Sequence, residues 1–143
     1  MPLVEISTVK DVFSEKERAN IAGRITKLVI EAEGLEYNPL SKGVALIEFR
    51  EFENFYIGGE NINKDNVIIK IYTFENAFSD EVSKKLHADI VRVVSEENEK
   101  TGLKKGNNVW CINMPLACGD FSVGGNTMTI DIAKKFVSSY VEK

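Results

Sequence analysis

The chain is poor in the side chains that build metal centres and disulfide frameworks, with one histidine and two cysteines in 143 residues. Two cysteines are too few for a disulfide scaffold. Cys111 sits inside an apolar strand pattern and Cys118 in the loop behind it. His87 lies mid-helix without a second ligand at helical spacing, so it reads as a surface or boundary side chain, and no metal or other cofactor is expected. Long hydrophobic runs are missing too. No segment approaches membrane-spanning length and residues 1–20 lack a signal-peptide core, so the expectation is a cytoplasmic protein with no membrane partner. Basic clusters stop at the pairs Lys104-Lys105 and Lys134-Lys135 in a chain of net charge −4, which leaves no footprint for nucleic acid. What remains is an ordinary globular composition, long enough for one domain spanning residues 1–143.

Proline is scarce as well, yet one of the three stands directly after Met1. Pro2-Leu3-Val4-Glu5-Ile6-Ser7-Thr8-Val9 reads as a strand. If Met1 is removed, Pro2 carries a free secondary amine into the fold. An α-amino group titrates at roughly 7.7–8.0, and apolar burial favours its neutral form. Pro2 is therefore a candidate general base near neutral pH. The plainer alternative is that it only begins an edge strand, where a missing N–H does no harm.

Further along, Ser14-Glu15-Lys16-Glu17 has the form of a capping box. Ile21, Ile25, Leu28, Val29 and Ala32 follow at helical spacing, with Gly34 as a stop. A loop through Asn38-Pro39 leads to a strand at Val44–Phe49. Asn54-Phe55-Tyr56-Ile57-Gly58-Gly59 then marks a turn. The pattern now repeats: the strand Val67–Phe74 lies 65 positions after the first, and Ser79 lies 65 after Ser14. Val109–Met114 begins 65 after Val44, and Asp120-Phe121-Ser122-Val123-Gly124-Gly125 echoes the glycine turn at 66. The chain reads as a duplication, with repeats at about 2–60 and 67–126 and a tail at 127–143. Each β-α-β unit should hold two parallel strands. Two units joined edge to edge give an α+β fold: a four-stranded mixed sheet with both helices on one face. The other face is expected to carry much of Val4, Ile6, Ile47, Ile69 and Ile112, an apolar surface suited to self-association. The tail has helical character around Ala133, Phe136 and Val137 and is expected to dock on a neighbouring subunit.

A twice-repeated β-α-β unit that begins Met-Pro-Leu-Val-Glu-Ile and ends each time in aromatic-x-apolar-Gly-Gly resembles the tautomerase superfamily. That superfamily includes 4-oxalocrotonate tautomerase, macrophage migration inhibitory factor and cis-3-chloroacrylic acid dehalogenase. The likeness covers roughly residues 2–126. Pro39-Leu40-Ser41 and Phe55-Tyr56-Ile57-Gly58-Gly59-Glu60 look like the first of these proteins; Trp110, Met114-Pro115 and Asp120 look more like the last. The resemblance implies an amino-terminal proline as catalytic base or acid, and a trimer with pockets at the subunit interfaces. It is incomplete. Phe13 and Val44 stand where short-chain members carry arginines. Glu75 and Phe78 stand where the dehalogenase and the related decarboxylase carry theirs, and Val29 falls near a helix-one histidine. A dicarboxylate substrate, dehalogenation and decarboxylation are all put in doubt, because bidentate capture of carboxylates is the work of those arginines.

Asp120 matches a carboxylate that activates water in the dehalogenase, or is simply a turn aspartate. Lys70 interrupts an apolar strand; it either snorkels to the surface or faces the Pro2 pocket as a cation that anchors an enolising oxygen. Tyr56, Trp110 and Phe121 are candidate pocket walls or plain packing. The expectation is a homotrimeric tautomerase-like isomerase acting on a small keto–enol compound, with Pro2 as general acid/base. Two rivals stand beside it: a non-catalytic binding or scaffold protein on the same fold, and a dimeric ferredoxin-like sensor.

Overall fold

The computed structural model describes residues 2–61, 65–98, 103 and 106–142. In chain order it contains β1 (Leu3–Val9), α1 (Glu15–Ala32), α2 (Pro39–Lys42), β2 (Leu46–Phe52), β3 (Tyr56–Ile57) and β4 (Glu60–Asn61). These are followed by β5 (Val67–Phe74), α3 (Asp80–Glu97), β6 (Val109–Leu116), β7 (Ser122–Val123), β8 (Asn126–Thr127) and α4 (Ile130–Ser138). The main sheet has the order β2-β1-β5-β6. β1 and β2 run parallel, as do β5 and β6, while β1 and β5 meet antiparallel at the centre. This is the four-stranded mixed sheet that the duplication implies, and its parallel pairing within each half removes the ferredoxin-like alternative.

The helices start where the caps say. The Ser14 hydroxyl accepts from the Glu17 N–H at 3.2 Å, and the Glu17 carboxylate accepts from the Ser14 N–H at 2.8 Å. Ser79 does the same for the Val82 N–H at 3.2 Å. Before each cap the chain turns through a left-handed residue, Asp11 and Asn76, again 65 apart. Asp and Asn tolerate that conformation better than other side chains. Ile21, Ile25 and Val29 of α1 and Leu86, Ile90, Val93 and Val94 of α3 bury one shared core against Val4, Ile6, Ile69 and Ile71. Arg24 of α1 bridges to Glu96 and Glu97 of α3.

Three expectations need correcting. Val4, Ile6 and Ile69 face the helices and are fully buried, and Ile47 packs against the same core. The open face is instead polar at its centre. Arg50 holds Glu5 at 3.1 Å and Glu48 at 2.8 Å, and Glu5 stands opposite Lys70 in the register. The most exposed apolar side chains on that face stand at its margins, Leu46 and Phe52 on β2 and Trp110, Ile112 and Met114 on β6. Second, Asn38-Pro39 opens a short helix rather than a loop, and the strand behind it is shifted to Leu46–Phe52. Third, the tail helix docks on its own chain. In α4, Ala133 packs with Phe74 and Val44, and Val137 with Ile30, Leu35 and Ala45.

Candidate active site

Pro2 is buried, at the head of a central strand. Its carbonyl accepts from the Leu46 N–H at 3.0 Å, which ties it to β2 on one side. On the other side Leu3 stands opposite Tyr72, so Pro2 falls opposite Thr73. In an antiparallel pair directly opposed side chains share a face, so the Pro2 ring lies on the helix side with Val4 and Ile6. The end of β1 is then closed over by α4, which packs on Ala45 to one flank of Pro2 and on Phe74 to the other. Asn38 fastens this cover by donating its Nδ2 hydrogen to the Val137 carbonyl at 3.1 Å.

Beside this strand end lies an apolar cavity of about 60 Å³, lined by Leu3, Tyr72, Thr73, Phe74, Leu116 and Phe121. A wider hollow of about 280 Å³ adjoins it along Phe74, Leu116 and Met128. Phe121 meets Phe74 edge to face at 5.8 Å between ring centroids, so it walls the cavity and packs the core at once. Asp120 precedes it in an exposed turn, its N–H donated to the Ala117 carbonyl at 3.0 Å. The Tyr72 hydroxyl donates to Glu5 at 3.2 Å. Burial, reinforced by the Glu5 carboxylate, pushes the Tyr72 phenol up from its ordinary value.

The remaining candidates lie elsewhere in the protomer. Lys70 is opposite Glu5, on the open face and three residues along β1 from Pro2, about 10 Å at the rise of a strand. Trp110 pairs with Ile68, which stands opposite Ser7, about 17 Å along the strands from Pro2. Tyr56 sits in the β3-β4 turn beyond the far end of β2. Trp110 and Tyr56 are 58% and 61% exposed, free to meet another surface. Within one protomer the structure therefore brings Pro2, Phe121 and Asp120 to one end and leaves Tyr56 and Trp110 at the other. The positions where the likeness would place anion-binding groups hold none: Phe13 and Val29 are core residues, Phe78 packs against that core and Val44 against the Phe74 cluster, and Glu75 is an exposed acid.

Sequence reasoning missed Glu33, a carboxylate only 3% exposed that takes the Thr73 hydroxyl at 2.5 Å. The signal was present in its 65-residue partner, Asn98, also buried. Among the described residues no group of three His, Cys, Asp or Glu side chains could hold a metal, and no helix is long and apolar enough to cross a membrane.

Neither a family model nor a curated protein matches the sequence. Solved structures do. A fused 4-OT wild-type asymmetric trimer, designated F6, superposes with a TM-score of 0.71 at 16% identity over 87% of this chain and 94% of that one. Pt0534, in a form inactivated by 2-oxo-3-pentynoate, gives 0.70 at 13% identity over 87% and 93%. The macrophage migration inhibitory factor-like protein of Entamoeba histolytica gives 0.66 at 15% identity over 89% and 98%.

Proposed function

We propose that this chain, which has the fold shared by 4-OT and macrophage migration inhibitory factor structures, is a homotrimeric tautomerase with Pro2 as general acid/base. The observation that carries the reading is the setting of Pro2: buried at the head of a central strand, beside an apolar cavity, in a fold where one solved relative is inactivated by an acetylenic keto acid. The substrate is a small keto–enol compound. Pro2 nitrogen, with Met1 removed, takes a proton from the carbon beside the carbonyl. The C–H pair becomes the new C=C bond, the carbonyl π pair moves onto oxygen, and the proton is returned to that oxygen or to carbon in the reverse direction. Turnover needs a donor for the developing oxyanion. A protomer cavity of about 60 Å³ is small against the roughly 300–1,000 Å³ of typical ligand pockets. A second copy that lends Tyr56 and Trp110 would enlarge the site, and the trimeric state of the 4-OT neighbour supports that assembly.

The test starts with the intact mass, which must lack methionine. Phenylpyruvate tautomerisation should then fall by about 10²-fold or more in Pro2→Ala, the usual size of a general acid/base contribution. Tyr56→Ala and Trp110→Ala should lower kcat/KM without disturbing the protomer fold. 2-Oxo-3-pentynoate should add once, at Pro2. Equal rates for wild type and Pro2→Ala would refute the reading. They would leave the non-catalytic binding protein, which the lack of arginine at Phe13, Val44, Glu75 and Phe78 and the remoteness of Lys70 favour.

A further inference from the structure

Charge is unevenly distributed around the end of β1. The cavity beside Pro2 presents apolar side chains and two hydroxyls, those of Tyr72 and Thr73. Both hydroxyls are already given to acids, Tyr72 to Glu5 at 3.2 Å and Thr73 to Glu33. The wider hollow that adjoins it adds one full charge to the wall, the exposed carboxylate of Glu75. Among the described residues no lysine, arginine or histidine lines either space.

The nearest cations are engaged elsewhere. Arg50 holds Glu5 and Glu48 and stands opposite Ser7, about 17 Å along β1 from Pro2. Lys42 lies over the Tyr37 ring at 5.6 Å. The positive end of α4 borders the wider hollow at Thr129 and Ile130. It is met from within, by the Thr129 hydroxyl on the Ile132 N–H at 3.3 Å and by Asp131 in the first turn. Nor do the segments that a second copy would lend bring a cation. Residues 51–61, around Tyr56, hold Glu51, Glu53 and Glu60 but no lysine or arginine, and residues 106–119, around Trp110, hold no charged side chain.

A carboxylate entering this space would shed its water and meet Glu75 where it needs a cation. A desolvated anion without a partner is strongly disfavoured. An uncharged carbonyl compound gives up far less water and gains the aromatic wall of Phe74 and Phe121. We propose that the Pro2 site takes an uncharged carbonyl compound with an apolar substituent, and that Glu75 at its rim repels the corresponding carboxylates. The inference rests on the reading of Pro2 as general acid/base and names the class of substrate that Pro2 serves.

The experiment compares phenylpyruvate with its methyl ester, which share the ring and the enolisable carbon and differ by one charge. For each compound kcat/KM is divided by its uncatalysed rate, in wild type, Pro2→Ala and Glu75→Gln. In wild type the ester should lead the acid by about tenfold or more. Glu75→Gln, a change at an exposed side chain, should raise the acid alone by about two- to threefold, the effect of one charge about 7 Å away across water. Added salt should raise the acid's value and leave the ester's, because it screens repulsion. If Pro2→Ala abolishes both activities but the acid equals or exceeds the ester in wild type, the uncharged substrate is overturned and catalysis by Pro2 stands. An acid rate that falls with salt, the mark of a cation in the site, has the same meaning. An acid rate unmoved in Glu75→Gln overturns the part given to Glu75. Rates that Pro2→Ala leaves unchanged for both compounds overturn the reading of Pro2 itself, and this inference with it.

Discussion

Asn38 holds α4 over the strand end where Pro2 lies, and cutting its side chain back should loosen that cover. Its Oδ1 accepts from the Leu40 and Ser41 N–H groups at 3.0 and 3.1 Å, while its Nδ2 donates to Val137 at 3.1 Å. Asn38→Ala removes an N-cap, worth about 1 kcal/mol. It also removes the donation to the Val137 carbonyl, which keeps the Tyr140 N–H at 3.3 Å, so this part is worth about 0.5–1.5 kcal/mol more. The sum is a loss of roughly 1.5–2.5 kcal/mol. Asn38→Asp separates the two parts, because it keeps both cap acceptors and sets an acceptor against the Val137 carbonyl. Urea denaturation read at unchanged slope gives the energies. Hydrogen exchange of the Leu46 amide, bonded to the Pro2 carbonyl, reports on the strand end itself. If Asn38→Ala cost less than about 0.5 kcal/mol, or if Asn38→Asp matched wild type in stability and exchange, α4 would not be latched through Asn38.

Two further outcomes test the surrounding structure. Burial pushes the Cys111 thiol up to about 11, whereas Cys118 is exposed. At pH 8 about one Cys111 in a thousand is then thiolate, so a disulfide reagent should label Cys118 first and Cys118→Ser should react very slowly, as read by intact mass. Gly106 has φ +71, and a Cβ there would come within 2.4 Å of Val91 Cγ1. Gly106→Ala should therefore destabilise more than Gly34→Ala, where φ is +73 but the space is open and the cost is about 1 kcal/mol. Equal melting temperatures for the two variants would count against the Gly106 contact.

What was legible in the sequence was whatever depends on local spacing. The 65-residue offset, the Ser14 and Ser79 caps and the paired glycines gave the strands, helices and turns in order. Alternation did not say which face of the sheet the helices cover. β5 reads Val67-Ile68-Ile69-Lys70-Ile71-Tyr72, apolar on both parities except at Lys70, so the pattern does not distinguish the face of Val4 and Ile6 from the open one. The short α2 had a readable signal, since Asn38 is followed by Pro39 at the first helical position and Ser41 completes the cap. The docking of α4 had none, because Phe74, Ala45 and Leu35 come together only through the fold. At the candidate site Pro2 was legible from its position, but its surroundings were not. Glu33 looks like one more polar residue near a helix end until Thr73 is seen beneath it.

Asn98, which closes α3, invites a perturbation of its own. Asn98→Asp is nearly isosteric, yet it replaces the donor that serves the Val12 carbonyl at 2.6 Å with an anion in a residue only 3% exposed. Losing that donor and burying an anion in its place should cost about 3–5 kcal/mol. The sign with pH follows from desolvation, which raises the folded affinity of the carboxyl for its proton above the unfolded one. The penalty is full above the folded value and fades as pH falls toward the unfolded value. Asn98→Asp should therefore recover part of its lost stability between pH 7 and 4.5, measured against wild type at each pH. Were Asn98→Asp as stable as wild type at pH 7, the donation from Asn98 to the Val12 carbonyl would not be what holds the end of α3.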